Sequence, residues 1–161
     1  MLGYMLAALA EQSGDAWSIR TAGTFVIEGS SISARTRDAL LGVPELGQRR
    51  YGVHRSHQID GDDVKWADVI LASEADHVRF IRARFDNGGS KTVLLAQFVR
   101  DAPLNAPFVE QLAAVSDLDP SPSLDVLDPA GGDQAAYDAC ASQLWDLATA
   151  FALLVREEEP R

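Results

Sequence analysis

Cysteine is almost absent from this sequence, and a single residue of this kind, Cys140, excludes both a disulfide framework and a zinc site built from several thiolates. Such usage fits a reducing compartment, so the expected location is the cytoplasm. Long apolar runs are also missing, because no stretch approaches the roughly 20 residues that a membrane-spanning helix needs. The opening residues carry no basic segment and no cleavage site, and they are not expected to be a signal peptide.

Positive charge is scarce as well. The chain has 14 Lys and Arg against 24 Asp and Glu, for a net charge of −10 at pH 7. This balance argues against nucleic acid or an anionic membrane as the main partner. The hydrophobic content of 47% and the charged content of 24% are typical of a soluble globular protein. A length of 161 residues predicts one domain, residues 1–161, with room for a proper core.

Predicted strands and helices alternate along the chain. Residues 66–72 and 91–96 are continuous apolar runs, which are typical of buried strands in a parallel sheet, and 17–22 resembles a shorter strand. Alternation of this kind predicts an α/β fold of three layers, in which helices flank a parallel sheet. The predicted helices cover residues 1–12, 31–41, 73–85 and 133–156. Residues 100–124 are rich in Pro and Asp and are predicted to be mostly loop, with one or two helical turns around 108–115.

Several local signals refine this pattern. Ser31 or Ser33 is the expected N-cap of the second helix, and Ser73 begins an apparent capping box with Asp76. The first helix has no start signal, because its apolar pattern is already running at Met1.

Two polar clusters resemble metal sites only superficially. His54 and His57 have no matching third ligand, so no metal is expected there. The run of acidic residues from Asp60 to Asp63 lacks the spacing of a calcium loop and predicts a solvated turn.

The most informative stretch is Val126-Leu-Asp-Pro-Ala-Gly-Gly-Asp133. Proline fixes its own φ angle and disfavours helical geometry at Asp128, and the two glycines free the backbone that follows. An ordinary turn before the last helix explains this stretch when it is taken alone. The alternative is an exposed carboxylate held at the edge of a site.

Four motifs in order decide between these alternatives. Thr21-Ala-Gly-Thr24, His54-Arg-Ser-His-Gln58, Ala67-Asp-Val-Ile-Leu71 and Val126-Leu-Asp-Pro129 together resemble the low-molecular-weight protein-tyrosine phosphatase family. Each motif is weak alone, but their order and spacing cover most of the chain. The resemblance implies a general-acid role for Asp128 and no cofactor. It also implies a substrate that is a phosphorylated protein or a small phosphomonoester. The thioredoxin-coupled arsenate reductases share the fold but need additional redox cysteines.

The family's chemistry also requires a Cys-x5-Arg loop that cradles the phosphoryl group. These 161 residues contain no such loop, because Cys140 is followed six positions later by Asp146. Cys140 lies in the last predicted helix and is predicted to be a small buried residue of the core. The resemblance to the family's first helix begins at Met1, as though the loop and the central strand before it had been removed. We therefore expect an incomplete domain that is inactive by itself and only marginally stable. Either the active protein is longer, or the lineage has lost the site and the chain is a non-catalytic binding module.

Substrate preference is open at this point. Phosphotyrosine enzymes of the family usually carry aromatic residues directly after Asp-Pro, whereas this chain has Ala130 and Gly131. The sequence Ala-Gly-Gly is more similar to the bacterial branch that has Phe-Gly-Gly at this place and that includes phosphoarginine phosphatases. Phe25, which follows the Thr21 motif, is the best remaining candidate for a wall of the substrate cleft. The sequence does not indicate an oligomeric state.

Overall fold

The computed structural model describes residues 1–156. The chain divides into two compact units: unit 1 comprises residues 1–58 and 128–149, and unit 2 comprises residues 59–127 with the described residues from 150 onward. Whether these units act as the single domain predicted from length stays a prediction. None of the described helices combines the length and the apolar character that a membrane span requires.

Unit 1 is built on helices. Helix α1 (Leu2–Ser13) buries Met5, Leu6 and Leu9 on one face, as the helical spacing predicts. Helix α2 (Ala34–Leu41) begins at Ser33, whose hydroxyl accepts a hydrogen bond from the backbone N–H of Thr36 at 3.1 Å. Of the two serines proposed as caps, Ser33 is therefore confirmed. The unit is completed by most of helix α7 (Gln134–Arg156).

Gly3 brings another segment of unit 1 close to the first turn of α1. A Cβ atom at Gly3 would overlap Cγ2 of Thr21, so only glycine allows the segment around Thr21 to lie there. That segment is not the strand expected at 17–22. Among the described residues its pairing is limited to one parallel bridge, between Gly23 and Gln58. The strand prediction is wrong because no neighbouring segment of this unit continues the ladder.

Unit 2 contains the parallel sheet. Strand β1 (Ile70–Ala72) pairs with strand β2 (Thr92–Leu94) in a register that places Leu71 opposite Val93. Both strands are shorter than the apolar runs that predicted them. Helix α3 (Gly61–Trp66) takes the first residue of one run, and helix α5 (Leu95–Asp101) follows β2 directly.

Helices flank this sheet. Helix α4 (Ala75–Arg84) packs against both strands, and helix α6 (Phe108–Ser116) packs against β2 and α5. The ring of Phe98 is fully buried and lies 6.2 Å from that of Phe108 and 5.3 Å from that of Phe151, measured between ring centroids. The predicted α/β class, with a parallel sheet flanked by helices, is confirmed.

Two helix starts in unit 2 differ from their predictions. Asp60 forms a capping box with Asp63 at the start of α3, where the sequence suggested a solvated turn. The capping box expected at Ser73 is wrong, because α4 begins after Glu74 and no side chain of its own segment caps it. Instead the carboxylate of Asp125 accepts a hydrogen bond from the N–H of Ala75 at 2.7 Å.

Replacing Asp125 by alanine is therefore expected to lower the free energy of unfolding by about 1 kcal/mol, the usual value of a lost N-cap. The reason is that the N–H of Ala75 loses its acceptor while the rest of α4 is unchanged. Urea unfolding followed by circular dichroism measures this difference. Ser73→Ala is the matched control and is expected to be close to neutral; a larger loss in the control would restore the original assignment of the cap.

Candidate active site

Asp128 lies in a tight turn of unit 1. Its carboxylate is exposed and accepts a hydrogen bond from the N–H of Ala130 at 3.0 Å. Gly131 has a φ of 83°, which suits glycine, and the N–H of Gly132 donates to the carbonyl of Pro129 at 2.9 Å. The turn predicted from Asp-Pro-Ala-Gly-Gly is thus present, and it holds the carboxylate at the surface.

The turn leads directly into helix α7. The carboxylate of Asp133 accepts a hydrogen bond from the N–H of Ala136 at 3.0 Å, which caps the first turn of the helix. The helix buries Cys140, Ala141 and Leu144 in unit 1. The two acidic residues of this loop therefore differ: the Asp133 carboxylate caps helix α7, whereas the Asp128 carboxylate bonds within the turn that precedes the helix.

A second loop of unit 1 carries Phe25. The side-chain amide of Gln58 spans this loop: its nitrogen donates to the carbonyl of Thr24 at 2.8 Å, and its oxygen accepts from the N–H of Val26 at 3.1 Å. The N–H of Gly23 also donates to the carbonyl of His57 at 2.9 Å. The backbone on both sides of Phe25 is consequently fixed.

The Phe25 side chain itself is 99% exposed. Ile27, two residues on, is 82% exposed. The carboxylate of Glu28 then closes the loop, because it accepts from the N–H of Gln58 at 2.7 Å and lies 3.1 Å from Nδ1 of His57. The result is an exposed apolar surface on a loop that hydrogen bonds hold in place, and the role of Phe25 as a cleft wall stays a prediction.

The role of Gln58 was missed in the sequence. The residue belongs to the His54-Arg-Ser-His-Gln58 motif that carried the resemblance. Its side-chain amide takes the place of a neighbouring strand by bonding the backbone of Thr24 and Val26, and such a contact produces no periodic pattern in the sequence. A polar residue directly after a histidine-containing segment is the only signal, and it does not identify the loop that it holds.

Charges converge around Cys140. The thiol is buried, and burial raises its pKa; the Asp128 carboxylate raises it further, while the Met1 ammonium lowers it. The pKa of His54 is lowered by its own burial, by the Met1 ammonium and by Arg55. Cys140 is thus close enough to Asp128 and to the start of α1 for their charges to affect its pKa, and the start of α1 also affects the pKa of His54. The prediction of Cys140 as a small buried residue is confirmed.

No acidic side chain of helix α1 offsets the partial positive charge at the start of the helix. The helix has neither a side-chain cap nor an acidic residue in its first turn. The positive end of the helix dipole is thus unneutralised by the helix itself, a condition that favours an anion nearby. The exposed carboxylate of Asp128 and the exposed ring of Phe25 belong to the same unit, and their roles in a site stay predictions.

The buried thiol gives a test of this description. Because the raised pKa reduces the thiolate fraction about tenfold per pKa unit, Cys140 is expected to react with Ellman's reagent at pH 8 far more slowly in the folded chain than in urea. The rate of absorbance increase measures the difference. Cys140→Ser supplies the blank, and equal rates in buffer and in urea would contradict the burial of the thiol.

The chain is similar to known proteins in both sequence and fold. A curated relative, the protein-arginine-phosphatase of Geobacillus stearothermophilus, is 30% identical over 156 residues, which cover 96% of this chain and 88% of the relative. No family model matches the chain.

Solved structures agree with that relative. The YwlE arginine phosphatase from Geobacillus stearothermophilus superposes with a TM-score of 0.71 and 28% identity, covering 99% of this chain and 90% of that one. The low molecular weight protein tyrosine phosphatase from T. tengcongensis superposes with a TM-score of 0.72 and 22% identity, covering 93% of this chain and 86% of that one.

Proposed function

Because the chain belongs to the low-molecular-weight protein-tyrosine phosphatase family, we propose that it takes part in removing phosphoryl groups from proteins, with phosphoarginine as the preferred side chain. The observation that carries this proposal is the turn at Asp128, in which an exposed carboxylate is followed by Ala130 and Gly131. No aromatic ring follows the carboxylate to grip a phenyl group. The curated relative is named a protein-arginine-phosphatase, which supports the same choice.

In this proposal Asp128 transfers protons in both halves of the reaction. A cysteine thiolate attacks phosphorus, the bond from phosphorus to the leaving nitrogen or oxygen breaks, and protonated Asp128 gives its proton to the leaving atom. Ionised Asp128 then takes a proton from water as that water attacks the phosphocysteine, and the thiolate and inorganic phosphate are released. The hydrogen bond from the N–H of Ala130 orients the carboxylate for this exchange.

Phe25 supplies the wall of the substrate cleft in this proposal. Its ring is exposed, and the Gln58 amide fixes the backbone on either side. A flat aromatic face stacks well on the planar guanidine group of an arginine derivative, which suits phosphoarginine as well as a phenyl ring. The wall thus does not depend on the residues after Asp-Pro.

The nucleophile is not among the 161 residues. They contain no Cys-x5-Arg, and the thiol of Cys140 is buried with a raised pKa, the opposite of an activated nucleophile. The proposal assigns to these residues the acid and the cleft wall. The chemistry also requires a Cys-x5-Arg loop, which these residues do not supply. The second candidate is a non-catalytic binding module, which needs no nucleophile.

The 161-residue chain is expected to show no turnover of p-nitrophenyl phosphate or of an arginine-phosphorylated protein, because no thiolate and no phosphate-binding arginine loop is present. Release of inorganic phosphate measures this. Asp128→Ala serves as the control for contaminating activity. Turnover that is lost in Asp128→Ala would mean that another nucleophile operates and that the mechanism above is wrong.

A chain extended upstream to include a Cys-x5-Arg loop tests the role of Asp128. Asp128→Asn is expected to lower kcat by about 10²–10⁴-fold on phenyl phosphate, whose leaving group needs a proton. The loss on p-nitrophenyl phosphate is expected to be much smaller, because nitrophenolate leaves without protonation.

Asp133→Asn is the matched control, since asparagine keeps the cap of α7 and leaves the chemistry untouched. Equal losses on both substrates would contradict a role for Asp128 as general acid. An extended chain that binds phosphoprotein but shows no turnover would instead favour the binding module.

A further inference from the structure

An open pocket of about 590 Å³ lies along one face of helix α1, in unit 1. Tyr4 and Glu11 line it from the helix, and they share a face because seven residues make two turns, or about 10 Å. The opposite side is formed by the segment from Leu46 to Arg50 and by Val53. Although the chain has a net charge of −10, two arginines, Arg49 and Arg50, converge on this pocket.

The two terminal nitrogens of Arg49 face the carboxylate of Glu11. Its Nε donates to the carbonyl of Leu46 at 3.0 Å, which fixes the guanidinium plane. Its two terminal nitrogens donate to the two carboxylate oxygens of Glu11, at 2.7 and 3.2 Å. The Arg49 side chain is only 17% exposed, whereas that of Glu11 is 67% exposed. The Arg49 guanidinium is therefore a fixed, largely buried group, and the Glu11 carboxylate contacts it from the solvent side.

Other donors of the pocket have no partner among the described residues. The Arg50 guanidinium makes neither a hydrogen bond nor an ion pair there, and the Tyr4 hydroxyl makes no hydrogen bond. The Tyr4 ring packs edge-on against Tyr51, with ring centroids 4.9 Å apart. Arg50 is exposed and the pocket is open, so the Arg50 charge and the Tyr4 hydroxyl are available to an acceptor-rich ligand.

We propose that this pocket binds a tetrahedral oxyanion, a phosphoryl group, and that Glu11 occupies its place on Arg49 when the pocket is empty. A carboxylate uses only the two-nitrogen edge of one guanidinium. A phosphoryl group offers three oxygens and close to two negative charges, so it satisfies that edge and also reaches the Arg50 charge. The pocket is distinct from the Asp128 turn and does not require the phosphatase chemistry.

The pair of Glu11 and Arg49 sets the affinity of this site. The Arg49 guanidinium lowers the pKa of Glu11, so the carboxylate is ionised at neutral pH and competes with an incoming anion. Neutralising Glu11 removes the competitor and leaves the fixed guanidinium available. Replacing Glu11 is therefore expected to tighten anion binding, whereas removing the charge of Arg50 is expected to weaken it.

The experiment is a titration of the ¹⁵N-labelled 161-residue chain with inorganic phosphate, followed through the amide signals of Tyr4, Gln48 and Arg50. Saturable shifts are expected in the unmodified chain. Arg50→Ala is expected to weaken phosphate binding about tenfold, the effect of losing one charged hydrogen-bond donor. Glu11→Gln is expected to tighten it several-fold, on the same scale of charge-assisted bonds.

Arg35→Ala is the matched control, because Arg35 is an exposed arginine of the same unit on helix α2, outside the pocket. Urea unfolding of each variant separates a loss of binding from a loss of folding. The proposal is overturned if the unmodified chain shows no saturable shift at these amides. It is also overturned if Glu11→Gln lowers stability without raising affinity, which is the behaviour of a purely structural ion pair.

A second arm distinguishes the source of the phosphoryl group. A short peptide carrying phosphotyrosine is titrated beside its unphosphorylated form and beside inorganic phosphate. Tighter binding of the phosphopeptide supports a docking site for phosphorylated protein, and equal binding of phosphopeptide and free phosphate supports a site for the free anion. Equal binding of the two peptide forms would contradict recognition of the phosphoryl group.

Discussion

Unit 1 depends on one close contact, between the first turn of helix α1 and the segment around Thr21. The contact exists because Gly3 has no Cβ, and any larger residue would overlap Thr21. The same helical turn carries Tyr4, whose ring packs against Tyr51 on the other side. Gly3 thus sets how closely the segment around Thr21 approaches the helix, while Tyr4, the next residue, lines the pocket of Arg49 and Arg50.

Much of this arrangement follows from the sequence. Helical periodicity placed α1 and α7 to within about two residues, because both helices bury an apolar face. Helix α6 lies in a segment that was expected to be mostly loop with one or two helical turns. Apolar runs located both strands of the sheet, although they overestimated the length of each. Local chemistry predicted the Ser33 cap and the Asp128 turn, since both depend on residues that are neighbours in the chain.

Contacts between distant residues were beyond the sequence. The cap of α4 comes from Asp125 instead of Ser73, because a carboxylate 50 residues away satisfies the same N–H. The Arg49 pair with Glu11 joins residues 38 positions apart, and the Gln58 clamp spans 32 and 34. The expected strand at 17–22 failed for a related reason, since propensity describes a segment alone and pairing requires a neighbour.

The bond from the Ala75 amide to Asp125 also bears on how unit 2 assembles. Helix α4 has no cap of its own, so its first turn has an unsatisfied donor until Asp125 arrives from 50 residues further along the chain. The backbone bond from Val126 to Ser73 closes the same long loop. Closing such a loop lowers the conformational entropy of the chain before the contacts at its ends can form. The folding rate is therefore expected to be lower than for a helix that is capped by a neighbouring residue. The cap of α4 therefore forms only after the chain as far as Asp125 has returned to the junction between β1 and α4.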